Sequence, residues 1–120
     1  MITDVFLNKL AKLLNGESAN LMDSINVTST VIAPDTADTS FAQDLGEVSL
    51  TGTRVNNVVT YTGIRSGAIA SSSGDYLNGI GLMDDTTSTT QVCAQALVPS
   101  VLQTSDFDVD FEWSININRK

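Results

Sequence analysis

Residues 107–118 read FDVDFEWSININ, and apolar and polar side chains alternate along them without a break. Phe107, Val109, Phe111, Trp113, Ile115 and Ile117 fall on one face; Asp108, Asp110, Glu112, Ser114, Asn116 and Asn118 fall on the other. Successive side chains of a strand point to opposite sides, so this stretch predicts one long, half-buried β-strand. At roughly 3.3 Å per residue it would span about 40 Å, where an ordinary strand has about 5 to 6 residues. A strand that is dry on one side and wet on the other makes a rigid spine for a sandwich.

Working back from that strand, turn signals recur about every 8 to 12 residues. SINVTSTVIA (24–33), EVSLTGT (47–53), RVNNVVTYTGIR (54–65, entered from a turn at Asn56-Asn57), LNGIGLMDD (77–85) and QVCAQALVPS (91–100, ended by Pro99) all read as strands. APDTADTSFAQDLG (33–46) reads as an acidic surface loop, SGAIASSSGDY (66–76) as a small-residue turn and DDTTSTTQ (84–91) as a hairpin connection. The expectation is a mainly β, antiparallel sandwich or jelly-roll-like domain of about six or seven strands, not βαβ units. No period of about 20 to 50 residues marks a repeat array.

One segment has a different period. In ITDVFLNKLAKLLNG, Phe6, Leu10, Leu13 and Leu14 follow the i, i+4, i+7, i+8 spacing of one helical face. Thr3 stands where a cap is expected, Asp4 at the positive end of the helix dipole, and Asn15-Gly16 at a left-handed stop. The helix, residues 3–15 with its caps, can use its apolar face on the domain's own core or on a neighbouring subunit. A membrane-surface role suits it less, because it is short and weakly cationic. Phe6, Leu10, Leu13 and Leu14 are therefore the candidate partner-contact residues. The whole chain, 1–120, reads as a single domain, with the sandwich over 24–120.

Composition narrows the function. The chain has 120 residues, 42% apolar and 17% charged, which is ordinary for a globular domain with its own core. Fourteen acidic side chains against six cationic ones leave a net charge of −8, so phosphates find no basic patch and nucleic-acid binding is not expected. No run approaches about 18 consecutive apolar residues, and Met1 opens no signal peptide, so neither secretion nor a membrane span is expected. The single cysteine, Cys93, forms no disulfide within the chain and is compatible with synthesis in a cytosol. The sequon Asn26-Val27-Thr28 carries no meaning without a secretory signal.

Catalytic chemistry is hard to assemble. The chain has no histidine, which removes the commonest general base and metal ligand and any Ser-His-Asp or Cys-His arrangement. Cys93 lies in an apolar alternation and reads as a small buried thiol rather than a nucleophile. The row Asp106, Asp108, Asp110, Glu112 begins like a calcium loop. Its sixth position is Phe111 where Gly is needed, and its twelfth is Ile117 where a bidentate Glu is needed. These acids read as a solvated edge that discourages aggregation, or as a row awaiting Arg or Lys from a partner. Gly79-Ile80-Gly81 lacks the third glycine and following helix of a dinucleotide fingerprint, and Asp84-Asp85 reads as a turn cap. No catalytic, cofactor or metal residue is assigned.

Taken in order, the pieces resemble a broad group of small virion proteins of tailed bacteriophages. The likeness is carried by the opening helix ITDVFLNKLAKLLNG, by Asp44, Leu45 and Glu47, by the strand NVVTYTGIR, by the turn IGLMDD and by the closing LQTSDFDVDFEWSINI with its Trp113. VIAPDTADT lacks the G-T-G turn common in that group. The resemblance implies a non-enzymatic, cofactor-free virion component made in the host cytoplasm. First among its expectations is a capsid decoration (cement) protein, a homodimer or homotrimer that binds the major capsid protein outside an assembled head. The alternative is a tail fibre or baseplate adaptor, touching tail proteins, or a host-surface-binding module.

Overall fold

In a computed structural model, described for residues 1–19, 22, 24–42, 44–84 and 91–118, the chain forms one helix followed by seven strands. The helix α1 is Asp4–Leu14; the strands are β1 (Ser24–Thr28), β2 (Glu47–Ser49), β3 (Thr51–Val55), β4 (Val58–Arg65), β5 (Asp75–Asp84), β6 (Gln91–Gln103) and β7 (Val109–Asn116). They make two antiparallel sheets, one ordered β2-β1-β5-β6 and the other β3-β4-β7. The expected sandwich architecture and strand number are therefore observed. The expected hairpin connection lies outside the described residues from Asp85 to Thr90, as do Arg119 and Lys120.

The interior between the sheets is built by Ile25, Val27, Val48, Leu77, Ile80, Leu82, Ala94 and Phe111, with Tyr61, Trp113 and Ile115 packed against them. Alternation predicts this well along β7, though not at the end of β4, where Ile64 is exposed and Arg65 buried. Along β7, Phe111 is buried and Val109, Trp113 and Ile115 are half-buried, while Asp110, Glu112, Ser114 and Asn116 are exposed. Gly63 of β4 marks a close approach of the sheets: a Cβ there would lie 3.0 Å from Val48 Cγ1 and from the Ser49 carbonyl oxygen.

The four-stranded sheet departs from alternation because it is covered on both faces. All five residues of β1 are buried, the polar Ser24, Asn26 and Thr28 included. Their cover is the segment expected to be a surface loop. Phe41 is buried and joins Met83, Val92 and Ile32 in a second apolar cluster on the outer side of the sheet. The glycines of β5 receive that cover. A Cβ on Gly81 would stand 2.9 Å from Phe41 Cγ, and one on Gly79 would stand 3.1 Å from Ile32 Cδ1. The loop closes where Asp44 accepts hydrogen bonds from the Thr28 hydroxyl (2.5 Å) and the Ser29 N–H (3.2 Å) and hydroxyl. The acidic loop thus shields backbone that β-strand alternation alone would leave wet.

Strand lengths also differ from expectation. The last strand has 8 residues and not the full alternating run, because Phe107 and Asp108 belong to the preceding turn. There the Phe107 carbonyl accepts from Gln103 Nε2 (3.2 Å) and the Asp108 carboxylate accepts from the Gly67 N–H (2.8 Å). The longest strand is β6, with 13 residues, and Pro99 does not end it. Its register against β5 shifts between Leu77/Gly79 and between Leu82/Met83. Pro99 sits in the first irregularity, where a missing N–H leaves no ladder bond unmade. Cys93 is the extra residue of the second. It turns Val92 toward the outer cluster and Ala94 toward the inner one, although their spacing places both on one face. EVSLTGT, expected as one strand, is two: the chain crosses from one sheet to the other at Leu50.

Candidate functional site

The helix is attached to the sandwich by its leading residues. Ile2 bridges Ala94 in antiparallel fashion, with Gln95 N–H donating to the Met1 carbonyl (2.9 Å) and Thr3 N–H to the Cys93 carbonyl (3.0 Å). Residues 1–3 thereby cover part of the β6 edge. Thr3 stands at the N-cap position, but its hydroxyl makes no cap bond; it donates to the Val92 carbonyl (2.6 Å). The far end of the helix closes as expected, with Gly16 at φ +75° and the Gly16 and Glu17 N–H groups returned to the Leu13 and Lys12 carbonyls. Lys9 does more than oppose the helix dipole. Its ammonium forms an ion pair with Asp84, a fully buried residue at the end of β5. Asp84 is thus a helix anchor rather than the expected turn cap.

No residue of α1 is buried. Of the candidate contact residues, Phe6 and Leu10 are half-buried, whereas Leu13 and Leu14 are exposed by 44% and 83%. Leu7, which the sequence reasoning passed over, is 53% exposed. At 100° per residue it falls beside Leu14, so a continuous apolar ridge of Leu7, Leu10 and Leu14 runs along the outer flank. The signal was the i, i+3, i+7 spacing of these three leucines, hidden because the stronger stripe through Phe6 and Leu13 overlaps it.

The carboxylate row is split by the turn. Asp108 secures the 66–70 segment through Gly67, while Asp110 and Glu112 stay exposed on the outer face of β7. With Glu47, these two acids line an open cleft of about 610 Å³ between β2, β4 and β7, together with Ser49, Thr62 and Arg65. Arg65 does not serve the cleft acids. Its guanidinium, 2% exposed, is turned inward to Gln103 Oε1 (2.5 Å) and Asp75 Oδ2 (2.9 Å), tying β4 to β5 and β6 across the sandwich. The hydrogen bond from Arg65 holds the Asp75 carboxyl below the usual carboxylate range, with help from Ser71. Among the described residues, no three acidic or cysteine side chains are placed to share a metal ion.

Cys93 is fully buried, and burial pushes its thiol up to about 11 despite the nearby Lys9 ammonium. It is protonated at neutral pH and a poor nucleophile, in keeping with the structural reading of the sequence. Asn26 of the sequon is also fully buried and inaccessible in the folded protein. Among the described residues, no helix is long and apolar enough to cross a membrane.

No protein-family model, no curated protein and no solved structure matches the chain. What the fold defines is a two-sheet antiparallel β protein with an anchored N-terminal helix. Its chemically distinctive surfaces are the leucine ridge, the acidic cleft and the open edge of β7.

Proposed function

We propose that the protein is a non-enzymatic structural component of a tailed-phage virion, a homo-oligomeric decoration (cement) protein that binds the major capsid protein on the outside of an assembled head. The observation that carries this reading is an amphipathic helix that is firmly anchored at its start yet buries none of its residues in its own domain. A helix held by Thr3 and Lys9 with Leu7, Leu13 and Leu14 left in water has apolar surface to give to a neighbour. The virion resemblance of the sequence supplies the neighbour's class. A protein that binds the assembled shell and not its free subunits stabilises the shell by mass action, and many copies multiply the effect.

The test is binding to purified capsid shells, with bound copies counted by native mass spectrometry. Saturation near the number of capsid subunits is expected, and Leu14→Asp should lower binding at least tenfold while leaving the circular dichroism spectrum unchanged. Leu10→Asp should lower both binding and melting temperature, because Leu10 is half-buried. No binding, or saturation at only a handful of copies, would overturn the decoration reading and move the protein to the tail.

A further inference from the structure

A sheet edge invites pairing unless something blocks it, and three of the four edges here are blocked. β2 is only 3 residues long. β3 is short, contains Gly52 and carries the charged Arg54. β6 is interrupted by two register shifts and Pro99 and is partly covered by residues 1–3. Among the described residues, β7 has neither a register shift, nor a Pro or Gly, nor a covering segment, and is guarded by charge alone. It pairs with β4 over 8 consecutive residues and is rich in aromatic and β-branched side chains. Its two charges, Asp110 and Glu112, oppose self-pairing only in registers that set them opposite one another.

The pairing direction of β7 is set by Ile117, whose N–H donates to the Asn57 carbonyl at 2.9 Å on the β4 side. Backbone groups of a strand alternate sides, so Asp110, Glu112, Ser114 and Asn116 turn their N–H and C=O groups to the open edge. We infer that this edge pairs antiparallel with the same edge of a second copy, making a two-fold dimer with one continuous six-stranded sheet. Charge limits the register, and the longest strand overlap then chooses among what it leaves. Setting Glu112 opposite Glu112, or Asp110 opposite Glu112, places like charges face to face. Centring the two-fold on Trp113 puts Glu112 opposite the partner's Ser114 and Asp110 opposite the partner's Asn116. These four residues are also the ones whose backbone groups face outward. On the inner face the same register sets Phe111 against the partner's Ile115 and Val109 against the partner's Ile117, covering an Ile117 side chain that is 55% exposed in the monomer. The pairing takes up the homo-oligomer element of the proposed function and supplies its surface, but it does not require the capsid.

The test is sedimentation equilibrium of the full chain in the absence of shells, over a range of concentrations, with three changes at one exposed residue. Wild-type protein should be a reversible dimer. Ser114→Pro removes an outward N–H that the monomer does not use and should abolish dimerisation with the circular dichroism spectrum retained. Ser114→Glu creates two like-charge pairs across the two-fold and should weaken the dimer about tenfold; Ser114→Lys creates two opposite-charge pairs and should tighten it by a similar factor. A wild-type monomer at every concentration, a trimer, or a dimer indifferent to Ser114→Pro would each overturn the inference. Weakening by Ser114→Lys would overturn the register. Capsid binding by a monomer would defeat the edge pairing alone, and a dimer that ignores capsids would defeat the capsid reading alone.

Discussion

Arg65 shows how much one side chain contributes to this fold. It sits at the end of β4, almost fully buried, and its partners Asp75 and Gln103 come from the other sheet. An arginine in an interior needs its charge met and its donors largely met; here the two terminal nitrogens of the guanidinium are bonded. Asp75→Asn leaves the guanidinium buried without its anion, and the expected loss is about 3 kcal/mol in urea denaturation. Adding Arg65→Met should recover part of that loss, since an apolar side chain needs no counterion; further destabilisation by the second change would show that the pair is not the source. Nothing in the sequence around Arg65 announced this role. The residue closes the stretch RVNNVVTYTGIR, and its partners are separated from it by 10 and 38 positions.

At the scale of elements, the unforeseen one is the acidic segment between β1 and β2. Asp35, Asp38 and the Pro34 turn mark it as a loop, and locally it is one: Asp35 accepts from the Ala37 N–H at 2.9 Å. Its apolar members Ile32 and Phe41, nine positions apart with no period between them, carry no signal of burial. Phe41 is buried and Ile32 half-buried because β5 offers glycines at 79 and 81, where their side chains can approach the backbone. Gly81→Val should therefore cost about 2 kcal/mol despite the better strand propensity of valine, by displacing Phe41. In a double-mutant cycle with Phe41→Ala the penalty should largely vanish. Simple additivity of the two changes would mean that the ring does not rest on Gly81.

For the whole molecule, two carboxyls couple folding to acid. Burial works to raise the pKa of Asp44, but hydrogen bonds from Ser29 and Thr28 outweigh it and hold the carboxyl below its usual value; Asp75 is held down by Arg65. A carboxyl depressed in the folded state contributes stability that is fully present above its unfolded pKa of about 3.9 and is lost as pH falls through the folded value. The melting temperature should thus hold from neutral pH down to about pH 4.5 and fall steeply below pH 4. In Asp75→Asn that fall should be shallower. An equal slope in the variant would assign the acid sensitivity to other groups.

The sequence by itself determined the class of the fold, the helix and the wet and dry faces of β7. Each of these depends on side chains within a few positions of one another, where the periods of 2 and 3.6 are legible. It also indicated the apolar helix face, with Phe6, Leu10, Leu13 and Leu14, though not how that face divides between the domain and the solvent. Only the tertiary structure decided that β6 passes through Pro99, that the bulge at Cys93 reverses the faces of its strand, and that a loop covers the second face of the four-stranded sheet. Only there did Arg65 become an interior clasp and the edge of β7 the one that charge alone guards. These features arise from contacts between segments far apart in the chain. Burial there is set by which backbone lies opposite, and no local pattern of residues encodes it.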